Sequence, residues 1–232
     1  MGLKMKMMIL TAFSPIKPVL ISFRPASLVA GFICLLTAAI MPVSGSLADE
    51  RIETAETHIQ KMIKEVRLKS GAQLSETEKQ ELFYHVISSY FDVDGIVRYT
   101  AGRYWRAATA EQRKTYKEVF LDILTASAAS QFGALMELDF VPSSSVARGD
   151  KLILVKGQIT DRTGEIPDAA IAWRVALVKD KPPRIIDIEV ENISMLKTQQ
   201  DENTAIIRKN GGKFSALIDE LKQRQKTLNS TE

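Results

Sequence analysis

The sequence predicts an α+β fold: a twisted antiparallel sheet of about four strands packed against several helices. Three observations predict it. Up to about residue 138, apolar side chains recur at three- and four-residue steps. Between residues 151 and 191 they alternate with a period of two, and from Gln199 helical spacing returns. Short turn signals, Asp161-Arg162-Thr163-Gly164 and Lys181-Pro182-Pro183, separate the period-two runs, so those runs join as an antiparallel meander with one buried face.

Taken in order, Arg51 to Lys69 forms a first helix on Ile52, Ala55, Ile59, Met62, Ile63 and Val66, stopped by Gly71. Ser75-Glu76-Thr77-Glu78 is a capping box for a second helix, whose stripe is Leu82, Phe83, Val86, Ile87, Tyr90 and Phe91. Asp92 or Asp94 caps a short third helix, and Gly102-Arg103-Tyr104-Trp105 turns the chain. Thr109 with Gln112 repeats the capping pattern and opens one long helix to about Leu138. Strands follow over Lys151–Thr160, Ala169–Lys179 and Arg184–Glu191, with a fourth near Val141–Ala147. In the last of the three, Ile186, Ile188 and Val190 share the inner face, and Asp187, Glu189 and Glu191 face solvent. Asn210-Gly211-Gly212 ends a further helix. A last one carries Phe214, Leu217, Ile218 and Leu221, and its tail frays from Gln223.

Residues 1–48 read as a cleavable signal peptide. They hold Lys4, Lys6, Lys17 and Arg24 with no acid, then an apolar run from Ala26 to Met41, then Ser46-Leu47-Ala48 as a small-residue exit. Residues 49–232 form the single folded domain, and the address is the periplasm. Without the leader the formal charge moves from +3 to −1, which removes the support for a nucleic-acid partner. The only cysteine, Cys34, also lies in the leader, so the domain rests on its hydrophobic core.

No motif for catalysis stands out. G-x-S-x-G and H-E-x-x-H are both missing from the sequence, and His58 and His85 stand apart from other ligand types. Asp92 and Asp94 read as helix caps that bond Arg103 or Arg113. The chain reads as a non-enzyme without a metal.

The segment Phe91–Phe120, with the meander after it, resembles the MlaC family of periplasmic phospholipid carriers, also known as toluene-tolerance auxiliary substrate-binding proteins. The resemblance rests on Phe91, Asp92, Asp94, the Gly102-Arg103-Tyr104-Trp105 turn, Gln112-Arg113 and Phe120. Ile186-Asp187-Ile188, Ile193-Ser194-Met195, Ile206, Gly211-Gly212 and Leu217 extend it over the mature chain. Two positions depart: the family's usual tryptophan before the last strand is Pro183-Arg184 here, and its usual glycine near the following turn is Asn192.

The resemblance implies an NTF2-like lipid-binding cavity and a soluble carrier that maintains outer-membrane lipid asymmetry. Such a carrier shuttles phospholipid between outer and inner membranes as part of an Mla-type ABC transport system. Its implied partners are an inner-membrane ABC transporter with its lipid-binding ring and an outer-membrane lipoprotein complex. It needs no cofactor beyond the phospholipid cargo. Burying acyl chain is worth about 0.8 kcal/mol per methylene, so the lining must be largely apolar. The lipid-contacting residues expected are Ile153, Val155, Ile171, Trp173, Val175, Ile186, Ile188 and Val190 from the strands, with Phe83, Tyr104, Phe120, Leu124 and Phe132 from the helices. The alternatives are a hopanoid or other polycyclic-lipid carrier, an NTF2-like enzyme with an acid–base pair in its cavity, and a packed envelope protein that binds nothing.

Overall fold

The computed structural model describes residues 47–69 and 72–229. The expected leader therefore lies outside the described residues except for its last two positions, and so does Gly71. Among the described residues, α1 (Leu47–Arg67), α2 (Glu76–Tyr90), α3 (Val93–Thr100), a 3-10 turn (Gly102–Arg106), α4 (Ala110–Ser130) and α5 (Phe132–Met136) precede the sheet. The strands are β1 (Leu138–Arg148), β2 (Leu152–Asp161), β3 (Ala169–Ala176), β4 (Arg184–Val190) and β5 (Ile193–Ser194), followed by α6 (Met195–Lys209) and α7 (Phe214–Asn229). The sheet is an antiparallel meander in the order β1-β2-β3-β4-β5, and the fold is α+β.

Local chemistry sets the helix ends. Both expected capping boxes form: Ser75 with Glu78, and Thr109 with Gln112. Asp92 caps α3 by accepting from the Gly95 amide at 3.0 Å. A Cβ at Gly95 would sit 2.2 Å from the Asp92 carboxylate, so this cap requires glycine. The long helix expected to reach Leu138 is broken at Gln131, whose backbone (φ −103°, ψ 9°) leaves the helical region. The break re-aims Phe132, Leu135 and Met136 as the separate short helix α5. At the other end, α7 continues to Asn229 instead of fraying at Gln223. Gln225 donates to Asp122 on α4 (2.9 Å), and Arg224 pairs with Glu220 and Glu202, which holds the last turns.

The sheet departs from simple alternation in two places. At β1, a bulge between Pro142 and Ser144 coincides with the residue that has no ladder donor. At β4, Trp173 pairs with Ile188 but Val175 pairs with Ile185, so Ile186 is the extra, unpaired residue. The expected face Ile186–Ile188–Val190 is therefore corrected: Ile185, fully buried, takes the core position beside Val175. Asp187 is also not on a solvated face. Its side chain is 2 % exposed, and it accepts from Ser194 Oγ (2.6 Å) and the Leu196 amide (2.9 Å) at the start of α6, with Arg174 3.8 Å away. The β4–β5 turn runs through Glu191 (φ 50°) and Asn192 (φ 62°), and asparagine tolerates this left-handed backbone.

Two large apolar clusters result. One joins α3, α4, α6 and α7 through Val97, Tyr116, Phe120, Ile207, Leu217 and Leu221. The other joins α1 to the sheet through Ala55, Ile59, Ile153, Val155, Val175 and Ile185. A smaller cluster of Phe83, Ala129, Phe132 and Met136 packs between α2 and the α4–α5 corner.

Candidate functional site

A cavity of about 390 Å³ lies where these clusters meet, within the range of roughly 300–1,000 Å³ common for small-ligand sites. Met62, Ile63, Val66 and Arg67 of α1 line it, with Phe83, Val86 and Ile87 of α2 and Phe91 just after it. Val93 and Ile96 of α3, Phe120, Leu124 and Ala128 of α4, and Leu135 and Met136 of α5 form the facing wall. The sheet contributes Leu138, Phe140, Ile159, Trp173 and Ile188.

The strand floor depends on a glycine. A Cβ at Gly157 would approach the Val141 carbonyl to 2.3 Å and the Phe140 ring to 2.4 Å, so only glycine lets β1 and the Phe140 ring come this close. Phe140 then meets Trp173 edge-on, with ring centroids 6.1 Å apart. The Trp173 indole nitrogen is buried with no hydrogen-bond partner among the described residues.

Arg67 is the one charged side chain in the lining. Its Nη2 donates to the Leu138 carbonyl (3.0 Å) and pairs with Asp139. Arg67 and Leu135 both line the cavity and reach solvent, 43 % exposed on the side chain and 37 % exposed respectively, so the cavity has solvent-facing residues at its rim.

Of the thirteen residues expected to contact lipid, the fold brings Phe83, Phe120, Leu124, Trp173 and Ile188 together on this cavity. The other eight lie elsewhere. Ile153, Val155, Ile171 and Val175 are buried in the cluster that α1 closes over, filled by Ala55 and Ile59. Ile186 sits at the β4 bulge, and Val190 pairs with Ile171 and Ile193. Tyr104 packs on the helical cluster, its hydroxyl accepting from Arg103 (2.9 Å). Phe132 stacks edge-on against Phe83 at 6.2 Å, behind the wall. The α1 stripe and the Phe91–Val93–Ile96 corner were visible as helical periodicity, but nothing in that periodicity separates a cavity wall from a filled core.

The charged corner also differs from expectation. Arg113 donates to the Trp105 (2.9 Å) and Arg106 (3.1 Å) carbonyls and lies over the Trp105 ring, while Asp94 pairs with Lys117 at 2.6 Å. Neither Arg103 nor Arg113 bonds Asp92 or Asp94, and neither lines the cavity. The histidines hold structure. The Tyr90 carbonyl is an acceptor, so His58 Nε2 donates to it at 3.1 Å, while burial lowers the His58 pKa from its ordinary value. His85 lies 3.0 Å from Glu65 at the surface.

Compared with known families, residues 56–223 match the MlaC protein family. The chain belongs to the MlaC family. The solved structure of the phospholipid-binding protein from Ralstonia solanacearum, in complex with a phospholipid, is similar to this MlaC-family chain with a TM-score of 0.65 at 18 % identity. That match covers 75 % of this chain and 98 % of the other, and it supports the fold assigned here. No curated protein gives a match.

Proposed function

We propose that this MlaC-family chain is a periplasmic carrier that binds phospholipid by its acyl chains and moves it between the two membranes without a chemical step. One observation carries the reading: an apolar cavity that the chain's own side chains leave unfilled, walled by aliphatic and aromatic groups apart from Arg67. Folded interiors otherwise pack to crystal-like density, so an open greasy volume of this size invites hydrocarbon rather than water. Acid–base chemistry needs a positioned group that can titrate near neutrality, and the lining offers only a guanidinium. The phospholipid complex of the structurally similar protein supports the same class of cargo.

In this reading the leader exports the chain and is removed. The loaded domain passes its cargo between an inner-membrane ABC transporter with its lipid-binding ring and an outer-membrane lipoprotein complex. The test is mass spectrometry of the protein purified from the periplasm without detergent. The expected result is one diacyl phospholipid per chain. A bound polycyclic lipid would replace the cargo class, and a chain free of lipid would overturn the carrier reading.

A further inference from the structure

We propose that Arg67 seats the phosphate of the cargo at the cavity mouth, so that head-group charge as well as tail length decides what this chain retains. The inference rests on the carrier reading and adds a polar subsite to it. Arg67 is the last residue of α1, borders the apolar lining and is also open to solvent, the two conditions that a tail-in, head-out lipid imposes. Both of its polar contacts, to Leu138 and Asp139, use Nη2. Among the described residues its Nε and Nη1 donors carry no bond, and the planar guanidinium fork matches a phosphate.

The surroundings permit an anion there. Arg162 lies 3.5 Å from Glu137 and 4.0 Å from Asp139 and also donates to the Met136 carbonyl. Arg67 and Arg162 thus face Asp139 and Glu137 at this rim, two cations to two carboxylates, while the Asp161 carboxylate opposite Leu138 is taken up by the Thr163, Glu165 and Ile166 amides. The Arg67–Asp139 pair is partly exposed, 43 % and 33 % on the two side chains, and solvent-screened pairs hold little energy, so a phosphate can share or displace it. Arg103 and Arg113, the arginines of the Phe91–Phe120 segment, do not line the cavity and are bonded to Tyr104, Trp105 and Arg106 instead.

The experiment compares two lipids with identical oleoyl tails, dioleoylphosphatidylglycerol and dioleoylglycerol, offered at equal concentration to the exported full chain and read by native mass spectrometry. The wild type is expected to retain the phospholipid about tenfold over the diacylglycerol, the size of one good charge-assisted contact. Arg67→Gln is expected to lower that ratio to about threefold or less while diacylglycerol occupancy stays the same, which also shows that the variant folds. Arg67→Lys is expected to fall between, because a point charge keeps attraction but loses the fork. An unchanged ratio in Arg67→Gln overturns the phosphate seat and leaves the carrier reading intact. Wild type that takes up neither lipid overturns the carrier reading itself. Inorganic phosphate that raises the wild-type melting temperature in an Arg67-dependent way, with no lipid preference, assigns the site to a free anion and overturns the proposal.

Discussion

The helical half of the molecule and the helix–sheet junction are built from the same residue types, yet one is filled and the other is hollow. In the helical half, Tyr116 is fully buried, with Phe120 and Phe214 rings 5.7 and 5.4 Å away. Thr100 Oγ1 donates to the Ile96 carbonyl (2.9 Å), which leaves the Tyr116 hydroxyl to donate to Thr100 (2.8 Å) while accepting from Asn203 Nδ2 (2.8 Å). Burial pushes the Tyr116 phenol well above its ordinary value, and the bonds to Thr100 and Asn203 draw it partly back, so it stays protonated as the network requires. At the junction, by contrast, the walls stop short of one another. The lesson is that a chain keeps a cavity open by locking the scaffold beside it. A satisfied polar network and interdigitated rings fix where α3, α4 and α6 stand, so the adjoining wall cannot collapse.

Substitutions can break or sharpen this contrast. The largest effect belongs to the packed half. Leu217→Ala, at a fully buried position of α7, is expected to destabilise by about 2–5 kcal/mol, read as a lower urea midpoint with an unchanged slope. Tyr116→Phe keeps the ring but leaves Asn203 and Thr100 short of a partner; the expected loss is about 1–3 kcal/mol by the same measurement.

A matched pair of enlargements then separates the halves directly. Ala101→Leu, at a fully buried site in the helical cluster, is expected to cost about 1–3 kcal/mol from overpacking. Ala128→Leu, on the cavity wall, is expected to change stability by less than about 1 kcal/mol because its added methylenes enter open space, while lipid occupancy falls. Equal costs for the two would show that the junction is as full as the core.

The smallest effect is a pH dependence. His58 is partly buried, and its pKa is lowered by that burial, with Arg184 and Lys61 adding to the shift and the Tyr90 carbonyl opposing it. A lowered folded value means that the unfolded chain takes up the proton first. Stability is therefore full above the ordinary histidine value of about 6.5 and declines as pH falls below it toward the folded value. His58→Gln is expected to flatten the urea midpoint between pH 7.5 and 5.

Much of the fold was legible because its signals are local. Ser75 with Glu78 and Thr109 with Gln112 announce their helices by reciprocal hydrogen bonds within one turn. Asn210 and the two glycines after it end α6, with Gly211 and Gly212 both left-handed (φ 67° and 81°). The β4 bulge was not legible. Period-two alternation assigns Ile186 inward, and only pairing with β3 reveals that Ile185 takes that place. For the same reason Ile153, Val155, Ile171 and Val175 were read as cavity wall. Their inward direction was right, but α1 rather than open space covers them.

The sequence by itself determined the α+β class, the helix–sheet–helix order, the capping boxes at Ser75 and Thr109, the glycine stop after Asn210, and the family to which the chain belongs. These follow from interactions a few residues apart and from residue types at fixed spacing. The tertiary structure alone decided that the junction of α1, α2, α4 and the sheet stays unfilled, that Asp187 is a buried cap for α6, and that Arg67 borders the opening. A void is a relation among side chains far apart in sequence. Hydrophobic periodicity records which way each residue points but not whether anything stands opposite it.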